Sequence, residues 1–146
     1  MRKETIYALC TPVGKGALSV IRVSGPKALK SVRALAPFLP PPVKSHRVYV
    51  GVLKDKEEIL DKVVVTYFEE GRSFTGEETL EISCHGGALS SHKILSSLGL
   101  KGIRPAGRGD FSLQSFANGK LDLTQAEGLK QLIESKTPFA HQAFLT

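Results

Sequence analysis

The sequence predicts an α+β fold, a mixed β-sheet with flanking helices. Three observations carry that prediction. Runs rich in β-branched and apolar residues, bounded by turn formers, recur along the chain as TIYALC, LSVIRVSG, RVYVGVL, DKVVVTYF and TLEISC. Between some of them lie segments with apolar residues at helical spacing, PKALKSVRALAPFL and GGALSSHKILSSLG. The two kinds of element do not alternate strictly, as a doubly wound parallel sheet would require.

Taken in order, Thr5–Cys10 and Leu18–Gly25 read as strands joined by the glycine-containing TPVGKGA. Pro26 suits a first helical position, and Leu29, Val32 and Leu35 fall on one face of the helix that follows, which PFLPPPV ends. RVYVGVL and DKVVVTYF form a hairpin separated by the polar KDKEEIL. TLEISC is a further strand, and GGALSSHKILSSLG a helix closing at Gly99. GRGDFSLQSFANGK reads as a glycine-bounded helical turn or short helix. Beyond Lys120, Thr124 and Glu127 stand in capping-box relation, with Ala126, Leu129, Leu132 and Ile133 on one helical face. The apolar FAHQAFLT after Pro138 has nothing left to cover it, so the chain reads as a fragment or as half of an oligomer.

With 146 residues and 41% hydrophobic content, the chain can bury one sizeable core and carry a small appendage. It contains no run of about 18 apolar residues, and its N-terminus turns charged too soon for a signal-peptide core, so a soluble, cytoplasmic chain with no membrane partner is expected. Cys10 and Cys84 each sit in an apolar strand-like run and read as reduced structural thiols. Twenty Lys and Arg against 14 Asp and Glu give +6, which favours anionic partners. The positive charges are scattered and lack interleaved aromatics, so they read as a solvated basic surface rather than a dedicated nucleic-acid face.

Several chemistries are tested by spacing. TPVGKGALS is not a Walker loop: the four residues before Gly-Lys-Ser/Thr are missing, and a strand rather than a helix follows. A third glycine at dinucleotide spacing is also missing. Cys84 and His85, adjacent on a strand, point to opposite faces and cannot easily share a zinc ion, even with Glu77, Glu78, Glu81 and His92 nearby in sequence. No serine occupies a nucleophile elbow. The His-Gly-Gly turn before Ala88 is either an anion-friendly set of amides or a tight turn that lets a helix pack on the sheet.

Three separated motifs carry a resemblance. CTPVGKGALSVIRVSGP, SFTGEETLEISCHGG and DFSLQSFANGKLDLTQAEGLKQLIES, in that order, closely resemble the N-terminal part of the tRNA modification GTPase family MnmE, also called TrmE. The likeness covers nearly the whole chain and is poorest at about residues 27–60. It implies that residues 1–120 form a domain similar to the folate-binding domain of aminomethyltransferases, which pairs as a homodimer and binds 5-formyl- or 5,10-methylene-tetrahydrofolate near the dimer interface. It further implies that residues 121–146 begin a helical domain into which, in the full-length parent, a GTPase domain using GTP, Mg2+ and K+ is inserted. Carried over position by position, the folate contacts are Arg22 of IRVSG, Glu81 of SFTGEETLE and Lys120 of NGKLDL. A carboxylate suits the adjacent amino and ring N–H groups of a pterin, and the cations suit its carbonyl or glutamate tail.

The partners implied are the flavoprotein MnmG/GidA and tRNA, with chemistry at carbon 5 of the wobble uridine. The chain by itself is expected to be inactive on GTP. A stand-alone folate-dependent enzyme similar to the aminomethyltransferases, and a pure dimerisation scaffold, are the alternative readings. The chain departs from the family pattern at Lys15, at Gly107-Arg108-Gly109-Asp110 and at Gln114, where the family commonly has arginine. Lysine for arginine keeps charge but loses the planar fork.

Overall fold

In the computed structural model, residues 3–11, 18–85, 88–121 and 125 are described. Six strands and three helices run β1 (Ile6–Leu9), β2 (Leu18–Ser24), α1 (Ala28–Arg33), β3 (Arg47–Asp55), β4 (Glu58–Phe68), β5 (Thr79–His85), α2 (Ala88–Gly99), β6 (Arg104–Pro105) and α3 (Asp110–Ala117). The strands form one sheet in the order β3-β4-β5-β2-β1-β6, antiparallel throughout except for the β1–β6 pair. The expected α+β class, with a mixed sheet and flanking helices, is what the chain adopts. The glycine loop at 12–17, the Gly86-Gly87 turn and all but Gln125 of the helix expected after Thr124 lie outside the described residues, as does the proposed domain start beyond Leu121.

Alternation along the strands builds the two faces of the sheet. Ile21 and Val23 of β2, Val65 of β4, and Leu80, Ile82 and Cys84 of β5 point to one face, where Val32 and Leu35 from the α1 region and Ile94 and Leu98 of α2 close the main core. Each of these side chains is fully buried, which stabilises the fold by roughly 1.5–3 kcal/mol apiece for the larger aliphatics. The opposite face carries Val20 and Arg22 of β2, Glu81 and Ser83 of β5, Val64 and Thr66 of β4, and Val48 and Val50 of β3. Cross-strand register aligns them in rows: Val50, Val64, Ser83, Val20, and next to it Val48, Thr66, Glu81, Arg22, Ala8. No element covers the β3 end of this face among the described residues, and Val48 and Val50 are 59% and 60% exposed.

The structure corrects three boundaries. The helix expected over residues 26–39 is six residues long and then tightens into turns in which Leu35 and Ala36 donate to Val32 and Arg33, because the prolines that follow leave no ladder to continue. KDKEEIL is not a connecting segment: β3 and β4 run through most of it and leave a two-residue loop at Lys56-Glu57, with Lys56 at φ 56°. The two-residue strand β6, unforeseen in the sequence, pairs with β1 through Arg104 and Pro105. No helix among the described residues is long and apolar enough to cross a membrane.

Residues 73–79 lie across the other end of the Arg22 face as a buried knot of hydroxyls. Thr75 Oγ1 meets Ser24 Oγ at 2.7 Å and Thr79 Oγ1 at 3.3 Å, and accepts from the Glu77 amide at 3.1 Å. Buried Glu77 accepts from Asn118 Nδ2 at 2.6 Å and has Lys3 Nζ at 3.4 Å. Glu78 accepts from Tyr67 Oη at 2.6 Å and from the Leu29 amide at 3.2 Å, tying β4 and the first turn of α1 to the same segment. Burial and this bond raise the Tyr67 pKa, so the phenol stays a donor.

Gly76 stands at φ +83°, where a β-carbon would come 2.6 Å from Asn118 Cβ, whereas Gly71, at φ +85°, has open space beside it. Gly76→Ala is therefore expected to destabilise the chain by at least about 2 kcal/mol and Gly71→Ala by about 1 kcal/mol, since both incur left-handed strain but only the first adds a clash. Urea denaturation of the two variants measures the difference, and equal costs would remove the Asn118 contact from the explanation.

Candidate functional site

Arg22 and Glu81 occupy directly opposed positions on the antiparallel strands β2 and β5. Their side chains meet as the register dictates: Arg22 Nε and Nη2 lie 3.1 and 3.0 Å from Glu81 Oε2. Both contacts fall on the same carboxylate oxygen, so Oε1 keeps its capacity to accept. The Arg22 guanidinium also stands over two aromatic rings, 5.6 Å from the Phe74 centroid and 5.1 Å from that of Phe111. Charge, stacking and strand pairing together hold it in one orientation.

Beside this group opens a cavity of about 350 Å³ whose lining includes Ala8, Cys10, Arg22, Phe74, Arg108 and Phe111. Among the described residues no aspartate or glutamate lines it, although Glu81 lies behind one lining residue through its bond to Arg22. Its volume is at the small end of ligand sites, which run from about 300 to 1,000 Å³. Burial pushes the Cys10 thiol up, with the nearby Arg22 charge opposing, so at neutral pH it forms a soft, uncharged part of the wall and not a nucleophile. Phe74 reaches the cavity from the hydroxyl knot, where Ser115 Oγ donates to its carbonyl at 2.7 Å. Phe111 comes from the first turn of α3, which starts after Gly109 at φ +77°.

Among the three residues expected to form the site, the fold brings two together and leaves the third apart. Lys120 is exposed and donates through Nζ to the Gly71 carbonyl at 2.8 Å; it does not line the cavity. Gly76 makes room for Asn118. Gln114 turns to the protein, with Nε2 3.3 Å from the Ser24 carbonyl and 3.4 Å from that of Glu4. Sequence reasoning missed Phe74 and Phe111, and singled out Arg108 only as part of a departure from the family pattern. The available signal was a phenylalanine set in a polar turn, in SFTG and again in GDFS, where an apolar ring has no strand or helix pattern to explain it.

His85 is separate from this group. Its Nδ1 lies 2.8 Å from Asp61 Oδ1 and its amide donates to Asp61 Oδ2 at 2.9 Å, while Cys84 is buried in the core on the other face. Among the described residues, no three His, Cys, Asp or Glu side chains gather as a metal ion would need.

Comparison with known proteins follows this geometry closely in sequence. A family model described as GTP-binding protein TrmE N-terminus matches residues 5–120, a span that contains Arg22, Glu81 and the whole cavity. The chain belongs to the TrmE N-terminal family. Among curated proteins named tRNA modification GTPase MnmE, it is 53% identical over 137 residues to that of Bdellovibrio bacteriovorus, covering 92% of this chain and 29% of the relative. It is 43% identical over 143 residues to that of Cytophaga hutchinsonii (97% and 31%) and 38% identical over 133 residues to that of Chlamydia caviae (91% and 30%). The chain thus spans about 30% of the length of these TrmE relatives.

Arg22→Lys keeps a positive charge but removes the planar fork and its stacking, so it is expected to lower stability by about 1–2 kcal/mol. Lys120→Ala, at an exposed position, is expected to cost less than about 0.5 kcal/mol. Chemical denaturation of the two variants checks the ranking, and a neutral Arg22→Lys would show that the ring contacts carry no stabilisation.

Proposed function

We propose that this chain is the folate-binding and homodimerisation module of a tRNA modification GTPase, with the cavity beside Arg22 receiving the pterin of 5-formyl- or 5,10-methylene-tetrahydrofolate. The observation that carries the proposal is the cavity itself, walled by two phenylalanines and an arginine that a carboxylate locks in place, inside the span matched by the TrmE family. The aromatic rings suit a flat heterocycle, the guanidinium suits its carbonyl, and Glu81, behind the lining, holds that guanidinium in place for the ligand. On this reading the domain is similar to the folate-binding domain of aminomethyltransferases, and the folate supplies a one-carbon unit for carbon 5 of the wobble uridine. The flavoprotein MnmG/GidA, tRNA and a cytoplasmic setting belong to the same reading. The GTPase chemistry in the relatives' name, with its Mg2+ and K+, belongs to the larger part of their length that this chain does not span.

The open sheet face supports the pairing. Val48, Val50, Val64 and Val20 extend the Arg22–Glu81 row into an uncovered apolar strip, which a second copy related by a two-fold axis would bury while bringing two cavities close to the interface.

Calorimetric titration with 5-formyltetrahydrofolate tests the pocket: binding is expected, and Glu81→Gln should weaken it about tenfold by removing the charged partner that fixes Arg22. No binding to the unaltered chain sinks the folate reading, and unchanged affinity in Glu81→Gln removes Glu81 from it. For the pairing, light scattering should find a dimer at on the order of 100 µM that Val50→Glu converts to a folded monomer. A monomeric parent at that concentration would refute it.

A further inference from the structure

The charges around the cavity are unequally compensated. Arg22 has Glu81 at 3.0 Å, but Arg108, the other cation among the described lining residues, has no carboxylate partner among the described residues. The acid nearest in sequence, Asp110, is committed elsewhere: its Oδ2 accepts from the Gly107 amide at 2.7 Å and from Arg104 Nη1 at 3.1 Å. Those bonds, with Gly109 at φ +77°, pin the turn that carries Arg108, an exposed residue of the cavity lining. An unpaired arginine on a convex surface is ordinary solvation. Here it stands exposed on a fixed turn, in a cavity whose described lining holds no acid and where Glu81 offsets only Arg22 among the described cations.

We infer that Arg108 is the specificity residue of this cavity and that it recognises a carboxylate at the trailing end of the bound ligand. The inference rests on the folate reading above and names what that reading leaves unassigned, the contact for the glutamyl tail. A cavity of about 350 Å³ houses a pterin ring but not a complete folate, so the p-aminobenzoyl-glutamate arm extends toward solvent, where the exposed lining residue Arg108 can meet it. Guanidinium is the group suited to that task, because its fork accepts a carboxylate in a bidentate, charge-assisted pair.

The test compares two probes, 5-formyltetrahydrofolate and its glutamyl diamide, which keeps the arm but has no free carboxylate, by titration into the unaltered chain, Arg108→Lys and Arg108→Ala. The unaltered chain is expected to favour the probe with free carboxylates about tenfold, Arg108→Ala to bind the two within about twofold, and Arg108→Lys to fall between, since it keeps the charge without the fork. The melting temperature of Arg108→Ala should match that of the parent, because no bond of the folded chain is lost. A preference that persists in Arg108→Ala, or that is missing from the unaltered chain while both probes bind, overturns the assignment of Arg108 and leaves the folate reading intact. Failure of both probes to bind the unaltered chain overturns the folate reading and the assignment together.

Discussion

The site depends on one hydroxyl. Thr75 Oγ1 meets Ser24 on β2 and Thr79 on β5 and accepts the Glu77 amide, so a single buried atom joins the loop to the two central strands of the sheet. Because a buried hydroxyl without partners costs on the order of 1–3 kcal/mol, each member of this set constrains the others to one arrangement. The loop then has no freedom to move Phe74 away from Arg22. Ser115 and Asn118 bond to the carbonyls of Phe74 and Thr75, which brings α3 and its Phe111 to the same place from the opposite side of the chain.

This arrangement makes the cavity a product of packing rather than of any one segment. Arg22 comes from β2, Phe74 from the loop before β5, Phe111 from α3, and Arg108 from the turn after β6. The short parallel pairing of β6 with β1 is what brings that turn over the sheet: the Arg104 amide donates to the Thr5 carbonyl and the Ala106 amide to the Tyr7 carbonyl. The site and the uncovered valine strip are neighbouring rows of one sheet face.

The division of labour within SFTGEETLE follows from these contacts. Its three glutamates have three different tasks. Glu77 is buried against Asn118, Glu78 anchors Tyr67 and the start of α1, and only Glu81 faces the candidate site. Strand alternation explains the third, since Leu80 and Ile82 must enter the core and so place Glu81 on the other face. The first two precede the strand, where periodicity carries no information, and their partners lie about 40 and 11 residues away.

By itself the sequence determined the α+β class, five of the six strands, the side of the sheet on which Arg22 and Glu81 fall, and the family to which the chain belongs, because alternation, turn residues and motif order are local properties of the chain. Tertiary structure alone decided that Arg22 and Glu81 meet, 59 residues apart, and that Lys120 goes to the Gly71 carbonyl instead of joining them. It also decided that Gly76 serves Asn118, and that Phe74, Phe111 and Arg108 wall one cavity. The physical reason is that strand register and the turns before β5 and α3 set these distances, and no local pattern of residue types encodes which distant backbone a side chain will find.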